Sequence, residues 1–241
     1  MDDADITNNL IAIPAFNEEP NIRRVVKQIK TVHKDIPVLV IDDGSTDSTA
    51  KEAVSAGAIL IRHPFNMGIA SSRMTSYRYA LDNGYDCLIQ LDGDGQHDPL
   101  SIKNLLKEKN GFDLLNGSRF LEKSGKYKMS FFRNSGRLFF SWLFRIMFKA
   151  NITDPTSGFR LIKKDALLYL IERDFFDYPE IEALEALLRG GFKVSEVGVK
   201  MKPRLNGRSS IDFFQAAYYM FKVSLAFFIM VIQKEKKQFI R

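Results

Sequence analysis

Nine residues, Leu91-Asp92-Gly93-Asp94-Gly95-Gln96-His97-Asp98-Pro99, bring three carboxylates, an amide and an imidazole to the end of an apolar run. Asp92 and Asp94 stand at i and i+2, which in an extended chain puts both on one face. Carboxylates that close repel one another unless a cation or water lies between them. Their oxygens are the hard ligands that Mg²⁺ and Mn²⁺ take, usually with phosphate oxygens completing the shell. Gly93 gives the backbone room beside a bulky ligand. Gln96 and His97 offer a neutral ligand or a hydrogen bond. Asp98 reads differently, as the N-cap of a helix whose first residue is Pro99. A D-x-D pair alone is also what an acidic turn looks like, so its surroundings decide.

Two more polar clusters follow apolar runs. Asp42-Asp43-Gly44-Ser45 follows the largely β-branched run Val38-Leu39-Val40-Ile41. Acids at a strand end of an open α/β sheet are placed to hydrogen-bond a base or a ribose hydroxyl. Between Ser45 and Ser48, Asp47 or Ser48 is the expected cap of the next helix. Pro14-Ala15-Phe16-Asn17-Glu18 offers backbone groups and a carboxylate after the first run. No G-x-x-x-x-G-K-[ST] is present, and no G-x-G-x-x-G follows the first strand, so phosphate must be held by metal and arginines.

The elements that must position these groups alternate. Strands are expected at Leu10–Pro14, Val38–Asp42, Ala58–Arg62, Cys87–Leu91 and Leu114–Gly117, with helical segments at Asn21–His33, Ser48–Ser55, Ala70–Asn83 and Leu100–Lys107. Such alternation predicts an α/β domain with a mostly parallel sheet. Ligands of such sheets collect at the carboxyl ends of the strands. The 241 residues suit one domain, expected over 1–210, followed by a C-terminal segment, 211–241.

Charge and aromatics are uneven. The formal net charge is +6, and seven Lys or Arg against the single acid Glu122 lie between Leu121 and Ala150. Sixteen of the 20 phenylalanines fall after residue 120. At 100° per residue, Arg133, Arg137, Ser141 and Arg145 form one stripe of a helix Phe131–Lys149, within the basic region 129–150, with Phe144 and Phe148 breaking the pattern. Leu138, Phe139, Trp142, Leu143, Ile146 and Met147 face mostly the other way. Ile211–Gln233 reads as a second, largely apolar helix followed by the basic tail Lys234–Arg241. Lys222 near its centre argues for lying in or against an interface, since a central lysine costs about 2.5–3.5 kcal/mol on insertion scales. These features point to an anionic membrane surface rather than nucleic acid. The acidic, polar start MDDADITNN lacks signal-peptide character. One cysteine, Cys87, fits a reducing cytoplasm.

Taken in order, IPAFNEE, VIDDGSTDST, LDGDGQHDP, NGSRF and DPTSGFRLIKKDAL resemble inverting family 2 glycosyltransferases of the GT-A fold. The likeness is to dolichol- and polyprenyl-phosphate sugar synthases in particular, from about Leu10 to Ile211. It implies a mixed, mostly parallel sheet with C-terminal membrane-interface helices, and a UDP- or GDP-sugar donor with Mg²⁺ or Mn²⁺. A polyprenyl phosphate or lipid-linked saccharide is the implied acceptor, met at the inner face of the membrane. Residue by residue, Pro14, Ala15, Asn17, Glu18, Asp42 and Asp43 match nucleoside-holding positions. Asp92 and Asp94 match the metal pair, with Gly93 beside them and Gln96 accessory. Arg119, Arg133 and Arg204 match phosphate-facing residues, with Ser209 further along the same tail motif. Asp154, Ser157, Phe159 and Arg160 match the acceptor side.

The family's base motif places its aspartate at Glu180, with Glu182 one step on, although both are also ordinary helix first-turn acids. A phosphate acceptor, already ionised, needs no strong base. Relatives often carry lysine after Asn66-Met67-Gly68, where this chain has Ile69. The tail motif lacks the tryptophan of processive synthases, which argues against a polymerase. A nucleotidyltransferase and an inactive membrane-associated scaffold are the alternatives. Oligomeric state, including a homo-oligomer, stays open.

Overall fold

The computed structural model describes residues 8–121, 131–173 and 179–202, with backbone alone for 131–133. The apolar runs form strands where their turn-rich flanks allow. These are β1 (Asn9–Ala15), β2 (Val38–Asp42), β3 (Ile59–Arg62), β4 (Cys87–Gln90) and β5 (Leu114–Ser118). β6 (Arg160–Lys163) and β7 (Val194–Gly198) complete a seven-stranded sheet in the order β3-β2-β1-β4-β6-β5-β7. β1 lies parallel to β2 and β4, with Ala15 beside Asp42 and Ala12 beside Gln90. β6 runs antiparallel to both β4 and β5, while β5 and β7 are parallel. The sheet is therefore mixed and mostly parallel, as the resemblance implied.

Helices cover both faces. α1 (Glu19–Val32) buries Ile22, Val25, Val26 and Ile29, spaced i, i+3, i+4, i+7, against one core. Ser48 is the N-cap position of α2 (Thr49–Ser55), and the preceding Asp47 supplies the side-chain bond, its Oδ1 accepting from the Thr49 N–H at 3.0 Å. α3 (Ile69–Asp82) and, further on, α5 (Phe131–Phe148), α6 (Lys164–Ile171) and α7 (Pro179–Arg189) close the second core around Tyr77, Phe140, Phe144 and Leu184. Asp98 caps as expected, its Oδ1 accepting from the Leu100 N–H at 3.3 Å. The helix then opens as a 3₁₀ turn, Pro99–Ser101, before α4 (Ile102–Glu108).

α5 divides the expected basic stripe between the domain and solvent. Phe140, Leu143 and Phe144 are buried, and Arg137 turns toward the domain, donating from Nη1 to the Thr153 carbonyl at 2.6 Å. Its guanidinium also lies 3.9 Å from the centre of the Phe120 ring. Leu138, Trp142 and Ile146 form the exposed row instead, at i, i+4 and i+8, near the exposed Arg145 and Lys149. Apolar residues occupy most of this helix's circumference, so its stripe pattern does not say which apolar side meets the core. Among the described residues no helix is long and apolar enough to cross a membrane. The expected helix Ile211–Gln233 lies outside them.

Candidate active site

The chain runs from β1 outward to β2 and β3, then returns to place β4 on the other side of β1. The carboxyl ends of β1 and β4 therefore flank a topological switch point, where open α/β sheets bind ligands. Here the expected groups meet. A Cβ on Gly93 would lie 3.3 Å from the Pro14 carbonyl oxygen, 3.5 Å from Glu18 Cγ and 3.6 Å from Ala15 Cβ. The β1 and β2 loops interlock beside them. Ser45 Oγ accepts from the Asn17 N–H at 2.9 Å, and Asn17 Oδ1 accepts from the Thr46 N–H at 3.0 Å. Asn17 adopts a positive φ of 53° to do so.

Asp42 and Asp43 are both buried and already engaged. Asp42 accepts from the Ser45 N–H at 3.0 Å and pairs with Arg62 Nε at 3.1 Å. Asp43 accepts from the Met67 and Gly68 N–H groups at 3.0 and 2.8 Å, and meets His63 Nδ1 at 2.7 Å. Gly44 is obligatory in this arrangement. Its φ is +72°, and a Cβ would lie 2.4 Å from the Phe65 backbone. Asp43 thus shapes the loop before α3 rather than facing a ligand with both oxygens open.

Asp92 lies two residues beyond β4, its side chain 41% exposed. Its amide donates to His97 Nδ1 at 3.1 Å, and its Oδ2 lies 3.7 Å from His97 Nε2. Burial holds the His97 pKa down against the pull of Asp92 and Asp94. The neutral ring is what the hydrogen bond requires, because Nδ1 must accept. His97 also stacks on Phe159, ring centres 5.0 Å apart. Desolvation pushes the Asp92 carboxyl up, but the facing guanidinium charges of Arg73 and Arg119 pull the other way, and the carboxyl lies below its ordinary range. Asp94 Oδ1 accepts from the Gln96 N–H at 3.0 Å.

No group of three or more His, Cys, Asp or Glu among the described residues forms a metal cage. Two carboxylates on one short loop fit an Mg²⁺ or Mn²⁺ ion that takes its other oxygens from phosphate and water.

Arg73, not anticipated from the sequence, lies at the centre of this site. It sits on the buried face of α3, only 3% exposed. Its Nη2 reaches Asp92 Oδ1 at 3.3 Å and Glu180 Oε1 at 2.8 Å, and its Nε reaches the same Glu180 oxygen at 3.1 Å. Glu180, in the first turn of α7, is held here as the counterion of Arg73, whereas Glu182 is buried in the same helix.

The loop Asp154–Arg160 builds the far wall. Asp154, Ser157, Phe159 and Arg160, the residues expected on the acceptor side, are all buried, and their side chains brace this loop. Arg119 grips Asp154 with Nε to Oδ2 and Nη2 to Oδ1, each 2.6 Å. Arg160 donates from Nε to Asn116 Oδ1 and to the Ser157 carbonyl, both at 3.0 Å, and burial lowers its pKa to about 10. Glu196, on β7, is a second unforeseen residue. It accepts from the Thr153 N–H and hydroxyl, the Asp154 N–H and Asn116 Nδ2, at 2.6 to 2.9 Å. Its signal was absent from the sequence, because a lone glutamate in a half-buried strand reads as a surface residue. Arg204 and Ser209 lie outside the described residues, and only backbone is described for Arg133.

The profile of Glycosyl transferase family 2 matches residues 10–170. The chain is 28% identical over 216 residues to the undecaprenyl-phosphate mannosyltransferase of Micrococcus luteus, covering 84% of this chain and 87% of that protein. It is 29% identical over 211 residues to the UDP-N-acetylglucosamine–dolichyl-phosphate N-acetylglucosaminyltransferase of Methanococcus voltae, covering 79% and 84%. Glucosyl-3-phosphoglycerate synthase from Mycobacterium tuberculosis, solved with Mn²⁺, UDP and glucosyl-3-phosphoglycerate, superposes with a TM-score of 0.69 at 18% identity. That match covers 93% of this chain and 79% of the other, and at such identity it speaks for the GT-A fold alone. With strand-end acids, a D-x-D at the switch point and a profile match over most of its length, this chain belongs to glycosyl transferase family 2 and is a glycosyltransferase.

Proposed function

We propose that the enzyme moves a sugar from a UDP- or GDP-sugar, with inversion, to a polyprenyl phosphate or lipid-linked saccharide. The observation that carries this reading is the meeting of Asp92 and Asp94 with the Pro14–Glu18 loop at the switch point. Asp92 and Asp94 would hold an Mg²⁺ or Mn²⁺ ion, which when bound offsets charge developing on the leaving diphosphate. The Pro14–Glu18 and Asp42–Ser45 loops, braced by their mutual hydrogen bonds, would seat the nucleoside. Gly93 and Gln96 flank the metal pair. Arg119, fixed by Asp154, adds positive potential beside Asp92. Arg133, Arg204 and Ser209 complete the phosphate-facing set.

Glu180 and Glu182 are the base candidates. Glu180 gives one oxygen to two N–H groups of Arg73, which favours an acceptor that arrives ionised, as a phosphate does. The acceptors named in the two curated relatives, undecaprenyl and dolichyl phosphate, support the same choice. The test is transfer from UDP-glucose, GDP-mannose and UDP-N-acetylglucosamine to a short-chain polyprenyl phosphate with Mn²⁺. No product and no nucleotide release with any donor would return the reading to an inactive scaffold.

We place the enzyme on the cytoplasmic membrane face, and α5 supports this. An exposed Leu138–Trp142–Ile146 row beside Arg145 and Lys149 suits a bilayer interface carrying anionic lipid. A second copy docked on the same face would bring those cations together. Trp142 is the single tryptophan and is 55% exposed. Its emission should shift to the blue on adding phosphatidylglycerol vesicles. Leu138→Ser with Ile146→Ser should weaken binding at least about tenfold, from lost apolar burial. Unchanged emission with anionic vesicles would remove α5 as a docking face.

A further inference from the structure

We propose that Arg73 is a positioning residue of the transfer reaction, tying the first carboxylate of the D-x-D to Glu180 of α7. This rests on the glycosyltransferase reading of the same site. Arg73 joins segments remote in sequence, reaching Asp92 and Glu180 from the second turn of α3. Three elements, α3, the β4 loop and α7, are thereby held at one spacing. A fourth closes on them. A Cβ on Gly158 would lie 2.7 Å from Asp92 Oδ1 and 2.9 Å from Arg73 Nη2, so the Asp154–Arg160 loop rests directly on the ion pair. Asp92 is thus steadied by Arg73 on one side and by His97 on the other.

The arrangement is a poor way to gain stability. Arg73 is buried, and its Nη1 has no hydrogen-bond partner among the described residues. A buried guanidinium with an unsatisfied N–H leaves part of its desolvation cost uncompensated. Replacing buried ion pairs with apolar groups of similar volume is often neutral or stabilising. Here both acids retain solvent access, with Asp92 41% and Glu180 19% exposed, so they can rehydrate when the arginine is removed. What the guanidinium supplies is geometry. Its planar fork engages two carboxylates at once, which a lysine ammonium cannot do with the same fixed angles. The metal-diphosphate end of the site and the acceptor-side acid then hold one relative position. A displacement of about 1 Å at such a site costs roughly 100-fold in rate.

The test uses the full chain as wild type, Arg73→Met, Arg73→Lys, Glu180→Gln and the double variant Arg73→Met/Glu180→Gln. Three quantities are read: thermal midpoint, affinity for UDP and GDP with Mn²⁺ by calorimetry, and kcat for transfer to a short-chain polyprenyl phosphate. Arg73→Met should keep nucleotide affinity within about threefold and lose roughly 100-fold in kcat. Arg73→Lys should recover part of that loss. The double variant should be no slower than Arg73→Met, because residues acting as a unit are not additive. Unchanged kcat in Arg73→Met overturns the proposal. So does a loss in nucleotide affinity equal to the loss in kcat, together with a lowered midpoint, which would mark a structural role. Failure of the wild type to turn over any donor would instead sink the transferase reading and this inference with it.

Discussion

Asp94→Ala should all but abolish metal-dependent turnover, lowering kcat by about 10³-fold or more. The magnitude follows from losing about 4 kcal/mol of stabilisation of the leaving diphosphate, at 1.36 kcal/mol per decade. Stability should change little. Asp94 is half-buried, and the bond its Oδ1 accepts from the Gln96 N–H is worth about 1 kcal/mol. Asp92→Asn should be milder in binding, since it keeps the shape that meets Arg73 and His97. The measurement is steady-state release of UDP and GDP from their sugar conjugates, with and without Mn²⁺. More than a tenth of wild-type turnover in Asp94→Ala would mean that the D-x-D does not hold the metal. A fall in thermal midpoint as large as that of a core variant would mean that the loop, not the chemistry, was lost.

Asp154→Ala should have the largest effect on stability. Asp154 is fully buried and takes the fork of Arg119 through two contacts of 2.6 Å and a third from the Arg119 amide at 3.1 Å. Removing one partner of such a pair leaves an uncompensated charge, typically a loss of about 3–5 kcal/mol. For a chain of this size, that is a fall on the order of 10 °C in the thermal midpoint. Asp154→Asn should fall in between, keeping the shape without the charge. Turnover should suffer as well, because the loop that Asp154 anchors carries Gly158 against Asp92 and Arg73. Thermal unfolding followed by circular dichroism decides the matter. A midpoint within about 2 °C of wild type would show that Arg119 finds solvent or another partner, and that the pair is not what holds this wall.

Much of the first half is legible residue by residue because its signals are local. The run Val38-Leu39-Val40-Ile41, bounded by turn residues, reads as a buried strand, and it is one, in register with Ile11–Pro14. Asp47 and Asp98 both bond the start of a helix, because an aspartate there accepts a backbone N–H whatever lies further away. The strand ends carrying Pro14, Asp43 and Asp92 were recognisable because turn residues follow apolar runs. Their convergence was predictable only as far as parallel sheets gather loops at one end.

The order of residues along the chain is enough, then, for an α/β domain with acidic strand ends and a family resemblance strong enough to name a reaction class. The partnerships arise only on folding. Arg73 looks like any helix cation until α3 turns it toward an acid 107 residues away. Glu196 looks like a surface glutamate until β7 pairs with β5 and sets it under the Thr153–Asp154 amides. Arg160 and Asp154 sit in a recognisable motif, yet their burial, and so their bracing role, comes from β6 threading antiparallel between β4 and β5. α5 kept its predicted span, while its buried side was decided only on folding, because an apolar majority around a helix leaves that choice to the surface it meets. Local signals specify strands, turns and caps through contacts a few residues apart. Charge pairs across a sheet depend on which strands become neighbours, and no spacing along the chain encodes that.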